Sequence, residues 1–187
     1  MSFNSNIHHR HSIRLKDYDY TQAGAYFVTI CAWQRECLFG DIVDGEMRLN
    51  ALGQVVLNEW NRTPQIRVQV SLDVSVVMPN HFHGIIAING STFDSGNVVG
   101  AYCNTPLPIV HNQLRSPSQT IGAIVRGFKS AITTQINVIR QNPGSPVWQR
   151  NYFERVIRND AELGRAREYI INNPLKWELD KENPANV

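Results

Sequence analysis

The run Met78-Pro79-Asn80-His81-Phe82-His83-Gly84-Ile85-Ile86 sets two histidines one residue apart at the mouth of an apolar, β-branched segment. Successive side chains of a strand point to opposite faces, so His81 and His83 project together while Phe82 goes to the other side. Two imidazoles converging on one point make a metal-ligand pair that still needs a third ligand and a chemical purpose. An exposed or hydrogen-bonded structural pair is the alternative reading of the same spacing.

The elements around this pair follow from periodicity and turn chemistry. Tyr26 to Trp33 is rich in β-formers and is expected as a central strand. Asp44-Gly45 is the two-residue signal of a tight hairpin. Asn50 can cap a helix that starts at Ala51, carries Leu52, Val55, Val56, Glu59 and Trp60 at the 3.6 period and ends at Pro64. Residues 68–77 alternate as a second long strand, and Pro79-Asn80 breaks it before the histidine strand.

A helix from about Ser118 to Ile139 is expected from Ile121, Ile124, Val125, Phe128, Ile132, Ile136 and Ile139, with Arg126 and Lys129 on its polar side. After the Pro143–Pro146 turn, residues 147–153 read as a last strand. Asn159 or Asp160 caps the final helix and Pro174 stops it. On that helix Tyr169 and Asn173 stand one turn apart on one side. Leu163, Ala166 and Ile170 define its buried stripe, with Tyr169 about 100° from the centre, at the edge of the core. By itself Tyr169 reads first as a boundary aromatic with its hydroxyl in water.

Composition narrows the function classes. A chain of 187 residues, 42% hydrophobic and 18% charged, has material for one full core, expected over residues 20–183. Residues 1–19 read as a basic N-terminal arm, whose His8, His9 and His11 lack a scaffold that would fix a metal site. The Gly-, Ser-, Asn- and Pro-rich stretch 89–118 reads as a mobile insertion. Cys31, Cys37 and Cys103 are odd in number and form no C-x-x-C pair, so a disulfide framework or zinc ribbon is not expected. No apolar run approaches the ~20 residues of a membrane span. A soluble protein of the reducing cytoplasm is the expectation, and a net charge of +2 permits a polyanionic partner without requiring one.

Four segments together carry a resemblance: residues 78–84, Phe128-Lys129-Ser130, Trp148-Gln149-Arg150-Asn151-Tyr152, and Tyr169-Ile170-Ile171-Asn172-Asn173-Pro174. In order and spacing they resemble the single-tyrosine HUH transposases of insertion-sequence type, and most closely the REP-associated tyrosine transposases, over about residues 14–183. The resemblance implies an α+β fold of ferredoxin-like or RRM-like type, a two-layer sandwich whose mostly antiparallel sheet carries helices on one face. It also implies that His81 and His83 are metal ligands and Tyr169 the nucleophile. Where relatives place a polar ligand one turn after the tyrosine, often Gln, this chain has Asn173. Tyr152 lies outside the closing helix and ranks below Tyr169.

The implied activity is a transposase or endonuclease that uses Mg²⁺ or Mn²⁺. It would cleave and rejoin single-stranded DNA, at hairpin or palindromic repeats, through a 5′-phosphotyrosine. The implied protein is nucleoid-associated and works as a monomer or homodimer. Arg126, Lys129, Trp148 and Arg150, with Trp33, are the basic and aromatic side chains available to grip DNA. A non-catalytic DNA-binding relic, a metal hydrolase using activated water and a structural histidine pair stay open beside this reading.

Overall fold

In a computed structural model of the chain, residues 23–89 and 120–186 are described. The basic arm at 1–19 and, save Asn89, the stretch 89–118 lie outside them. Strand β1 (Gly24–Cys31) leads through a short 3-10 turn to a separate hairpin of β2 (Gly40–Val43) and β3 (Glu46–Leu49). Asp44 and Gly45 form its tip with φ of 53° and 76°, the two left-handed residues of a type I′ turn.

Helix α1 (Ala51–Ile66) is capped by Asn50, whose side-chain oxygen accepts from the backbone N–H groups of Leu52 and Gly53. Pro64 does not end it. The proline sits in the last turn, where its missing N–H costs one bond, and the helix closes two residues later with Arg67 donating to the Thr63 carbonyl. Then come β4 (Val70–Val77), β5 (His81–Ile88) and α2 (Ile121–Ile139), the last capped by Thr120.

The last strand differs from the sequence expectation. Residues 147–152 are irregular, joined to the end of β1 by a bridge between Ala32 and Trp148, and strand β6 is Phe153–Ile157. Only there does burial alternate with period two, Glu154 and Val156 inward and Phe153 and Arg155 outward. Helix α3 (Asp160–Ile171), capped by Asn159, and 3-10 turns at Pro174–Leu179 and Pro184–Asn186 complete the described chain.

The main sheet has the order β4-β5-β1-β6 with every neighbour antiparallel. With α1 and α2 as the crossovers, this is the ferredoxin-like β-α-β-β-α-β sandwich, the β2–β3 hairpin being an addition. Tyr26, Val28, Ile30, Phe82 and Ile86 face α1 and α2 and build the main core with Trp60, Ile124, Phe128 and Ile132. Helix α3 lies on the opposite face. There Leu163 and Ile170 pack on Ile85, with Phe27, Val74 and Val76 around them.

A bulge in β4 makes this second layer possible. The register passes from Leu72–Ile86 to Ser75–Gly84, so β4 holds one residue more than β5. Leu72 before the bulge joins the helical core, whereas Val74 and Val76 after it face α3.

Candidate active site

Strand β5 puts His81 and His83 on the α3 face, their ring centroids 4.5 Å apart. Both are buried, at 0% and 3% exposure. Phe82 goes to the helical core, where it packs on Trp60, and Gly84 follows because a Cβ there would lie 2.6 Å from the Trp60 ring.

Hydrogen bonds decide which imidazole nitrogen is available. Asn80, fully buried, donates through its amide nitrogen to the carbonyls of Arg35 (3.0 Å) and Glu182 (2.6 Å). Its oxygen therefore faces His81 Nδ1 at 2.8 Å, and an amide oxygen only accepts. His81 must then carry its proton on Nδ1 and present a lone pair on Nε2, the arrangement that orients a metal-binding histidine. Thr29 Oγ1 lies 2.8 Å from His83 Nδ1, where the hydroxyl is able to accept the Nδ1 proton and leave the lone pair on Nε2. Asn80 is a site residue that in the sequence reads only as a turn former; its place beside His81 is the available signal.

Helix α3 and the turn after it bring the remaining groups. Tyr169, 44% exposed, sets its ring edge-on to His83 at 5.2 Å and to Phe27 at 5.9 Å. Asn173 is 2% exposed and precedes Pro174, yet its side chain makes no cap to the 3-10 turn it begins. Its amide instead lies beside both His81 and Tyr169, favouring the charged form of each. Among the described residues, His81 Nε2, His83 Nε2 and Asn173 Oδ1 are buried without any hydrogen-bond partner. Three unpaired lone-pair donors at one spot are costly unless something binds them, and two imidazoles with an amide oxygen suit a divalent cation. No set of three His, Cys, Asp or Glu among the described residues could hold a metal, so Asn173 is needed to complete this one.

The electrostatics agree with that use. Burial pushes both imidazoles below the ordinary histidine range, His83 well below it with help from His81 and Lys181, while Asp180 and Glu182 oppose the shift at His81. Burial raises the Tyr169 phenol, as do Asp180 and Glu182, so at neutral pH it holds its proton. Cys31, next to His81 across the sheet, is not a thiolate: burial and Glu182 raise it to about 12.

The other sequence candidates sort by position. Arg150 lines a cavity of about 1120 Å³ that His83 and Tyr169 also line. Trp148 is 6% exposed, packed between Phe39 and Phe128 in the helical core, and so offers no face for stacking. The Lys129 ammonium donates to the carbonyls of Gln149 (2.6 Å) and Arg150 (3.1 Å), tying α2 to the segment that walls the cavity. Arg126 is exposed on α2, in the layer across the sheet from the histidines, and Trp33 is 39% exposed on the turn after β1. Tyr152 is engaged as a donor to the buried Glu154 carboxylate.

No family model matches the chain. A solved structure of a REP-associated tyrosine transposase bound to a REP hairpin is similar over 88% of this chain and 74% of that one, with a TM-score of 0.56 at 18% identity, which is a likeness of fold. An uncharacterized protein of Haemophilus influenzae is 45% identical over 181 residues, 96% of either chain. At that identity and coverage, the chain belongs to one family with the Haemophilus influenzae protein.

Proposed function

We propose that this protein is a tyrosine transposase or endonuclease that cleaves and rejoins single-stranded DNA through a covalent link to Tyr169. The observation that carries this is a half-exposed phenol against His83, beside three buried donors with no partner of their own. The likeness of fold to a transposase bound to a REP hairpin supports DNA as substrate, with a hairpin or palindromic repeat as the preferred form.

In this reading His81, His83 and Asn173 would hold Mg²⁺ or Mn²⁺, which when bound would supply positive charge to a phosphate oxygen. Tyr169 Oη bonds to phosphorus while the P–O3′ bond breaks. The 5′ phosphate stays on the tyrosine, and the departing strand end takes up a proton as a 3′-hydroxyl, while the phenol gives its proton to solvent. Reversal of the same exchange reseals a strand without a nucleotide cofactor, because the phosphotyrosine keeps the phosphodiester bond energy. Phe27, packed on both His83 and Tyr169, holds the phenol against the donors. None of the described helices is long and apolar enough to cross a membrane.

The test is a denaturing gel of the full chain incubated with hairpin-bearing single-stranded DNA and Mg²⁺ or Mn²⁺. A DNA-linked protein band, lost in Tyr169→Phe, is expected. Binding without any such band across hairpin and unstructured strands would favour the DNA-binding relic instead.

A further inference from the structure

Across the main sheet the register aligns His83 with Thr29 and Thr29 with Phe153. The three side chains form one row on the α3 face, so Phe153 stands two strand spacings, roughly 10 Å, from the histidine. In the neighbouring row Arg155 pairs with Phe27. Phe27 links the two regions, its ring stacked on His83 at 5.5 Å and edge-on to Phe153 at 6.3 Å.

Phe153 is 44% exposed, with one edge of its ring against Phe27 and the rest open to the cavity. It lines the cavity that also contains His83 and Tyr169. Arg150, Arg155, Arg165 and Lys181 line the same space and are exposed. Of the facing carboxylates, Glu154 is buried with Tyr152, Glu162 is paired with Arg155 at 3.4 Å and Glu182 with Arg35 at 3.1 Å. The wall is therefore cationic around an apolar, aromatic floor, the pairing that grips a phosphate backbone and stacks unpaired bases.

We infer that Phe153 is a base-stacking platform: an unpaired base of a single-stranded polynucleotide lies on its ring, with Arg150, Arg165 and Lys181 against the adjoining phosphates, a few nucleotides from the bond presented to Tyr169. This rests on the proposed function for the location of the reacting bond, but the platform makes its own demand. It needs an unpaired base, so a blunt duplex does not fit it, and it is tolerant of sequence because every base has a stacking face.

The experiment uses the full chain and a fluorescent single-stranded oligothymidine carrying one 5-iodouracil. Binding is read by anisotropy, and cross-links formed under ultraviolet light are mapped by peptide mass. The expected results are a cross-link at Phe153, binding weakened on the order of tenfold in Phe153→Ala, the loss of about one stacked base, and binding retained in Phe153→Trp with quenched indole fluorescence. Arg165→Gln should weaken binding and flatten its salt dependence. If wild type binds the strand and forms the Tyr169 adduct on hairpin DNA while Phe153→Ala is indifferent and cross-links fall elsewhere, the platform is wrong and the proposed function stands. If wild type binds no single strand, both fall.

Discussion

Asn80 and Tyr152 illustrate how a single hydrogen bond assigns a role. Asn80 spends both amide protons on carbonyls and turns its oxygen to His81, so it sets the tautomer that leaves Nε2 open. Asn80→Ala should therefore lower Mn²⁺ affinity by roughly 10- to 100-fold, the usual cost of losing a partner behind a ligating histidine. Calorimetric titration of protein shown folded by circular dichroism checks this, and an unchanged affinity would detach the residue from the site. Tyr152 presents the opposite case. Its hydroxyl is committed to the buried Glu154 carboxylate, so Tyr152→Phe should reduce stability by about 1–3 kcal/mol while leaving the DNA adduct intact. Tyr169→Phe should do the reverse, since its ring packs on Phe27 and His83 while its side chain is 44% exposed and its hydroxyl meets the Asn173 amide rather than a buried charge. Urea melts and adduct gels on the two variants separate the roles, and an adduct lost with Tyr152 alone would move the nucleophile off α3.

At the scale of elements, α3 is held to the sheet by more than its apolar stripe. Arg167, two residues before Tyr169, donates from Nε to both oxygens of Asp73 at 3.0 Å, and Asp73 sits in the β4 bulge. The guanidinium holds the Asp73 carboxyl below its usual range. A carboxylate with a depressed folded pKa contributes stability above its unfolded value of about 3.9, and that contribution is lost as pH falls through the folded pKa. Asp73→Asn should accordingly melt below wild type at pH 7, with the gap closing under about pH 4. Exposure of Arg167 at 42% keeps the effect modest. Strand β5 offers a sharper test. A methyl on Gly84 would meet Trp60 and Phe82, so Gly84→Ala should cost about 1–3 kcal/mol in urea denaturation without touching a ligand.

The same elements explain what could be foreseen. The shared face of His81 and His83, the placement of Tyr169 on the closing helix and the Asp44-Gly45 hairpin all follow from local periodicity or turn chemistry, which a sequence displays directly; Asn173, expected on the same helix, lies instead beyond its end at Ile171, at the start of the 3-10 turn that Pro174 opens. The face reversal of Val74 and Val76 depends on one extra residue in a strand whose apolar alternation is unbroken, and no local pattern announces it. Trp148 reads as an available aromatic until Phe39 and Phe128, distant in sequence, enclose it. Phe153 is hidden for a related reason: β6 begins where the expected strand ends, because Trp148 bridges Ala32 out of register with the β1–β6 ladder and Lys129 takes the carbonyls of Gln149 and Arg150.

Taken as a whole molecule, the described chain supplies every group of the proposed site from within itself. The histidines come from β5, the phenol from α3 and Asn173 from the turn that follows it, and α3 is pinned to its own sheet by Leu163 and Ile170 on Ile85 and by Arg167 on Asp73. An exchanged helix would make the same contacts on a second copy, so the anchors set an expectation of action within one chain that experiment must decide. The consequence is a complementation test. Tyr169→Phe chains keep the donors and lack the nucleophile, whereas His81→Ala chains keep the nucleophile and lack a donor. Mixed in equal amounts with hairpin DNA and Mn²⁺, they should form no more adduct than either alone, because no chain then holds a complete set. Recovery of adduct toward half the wild-type level, carried on the His81→Ala chain, would mean instead that α3 leaves its own sheet and serves the donors of a second copy. Repeating the mixture with Asp73→Asn added to the His81→Ala chain gives the comparison its direction: if the Arg167 anchor is what keeps the tyrosine at home, releasing it is the change that should raise any exchange between copies.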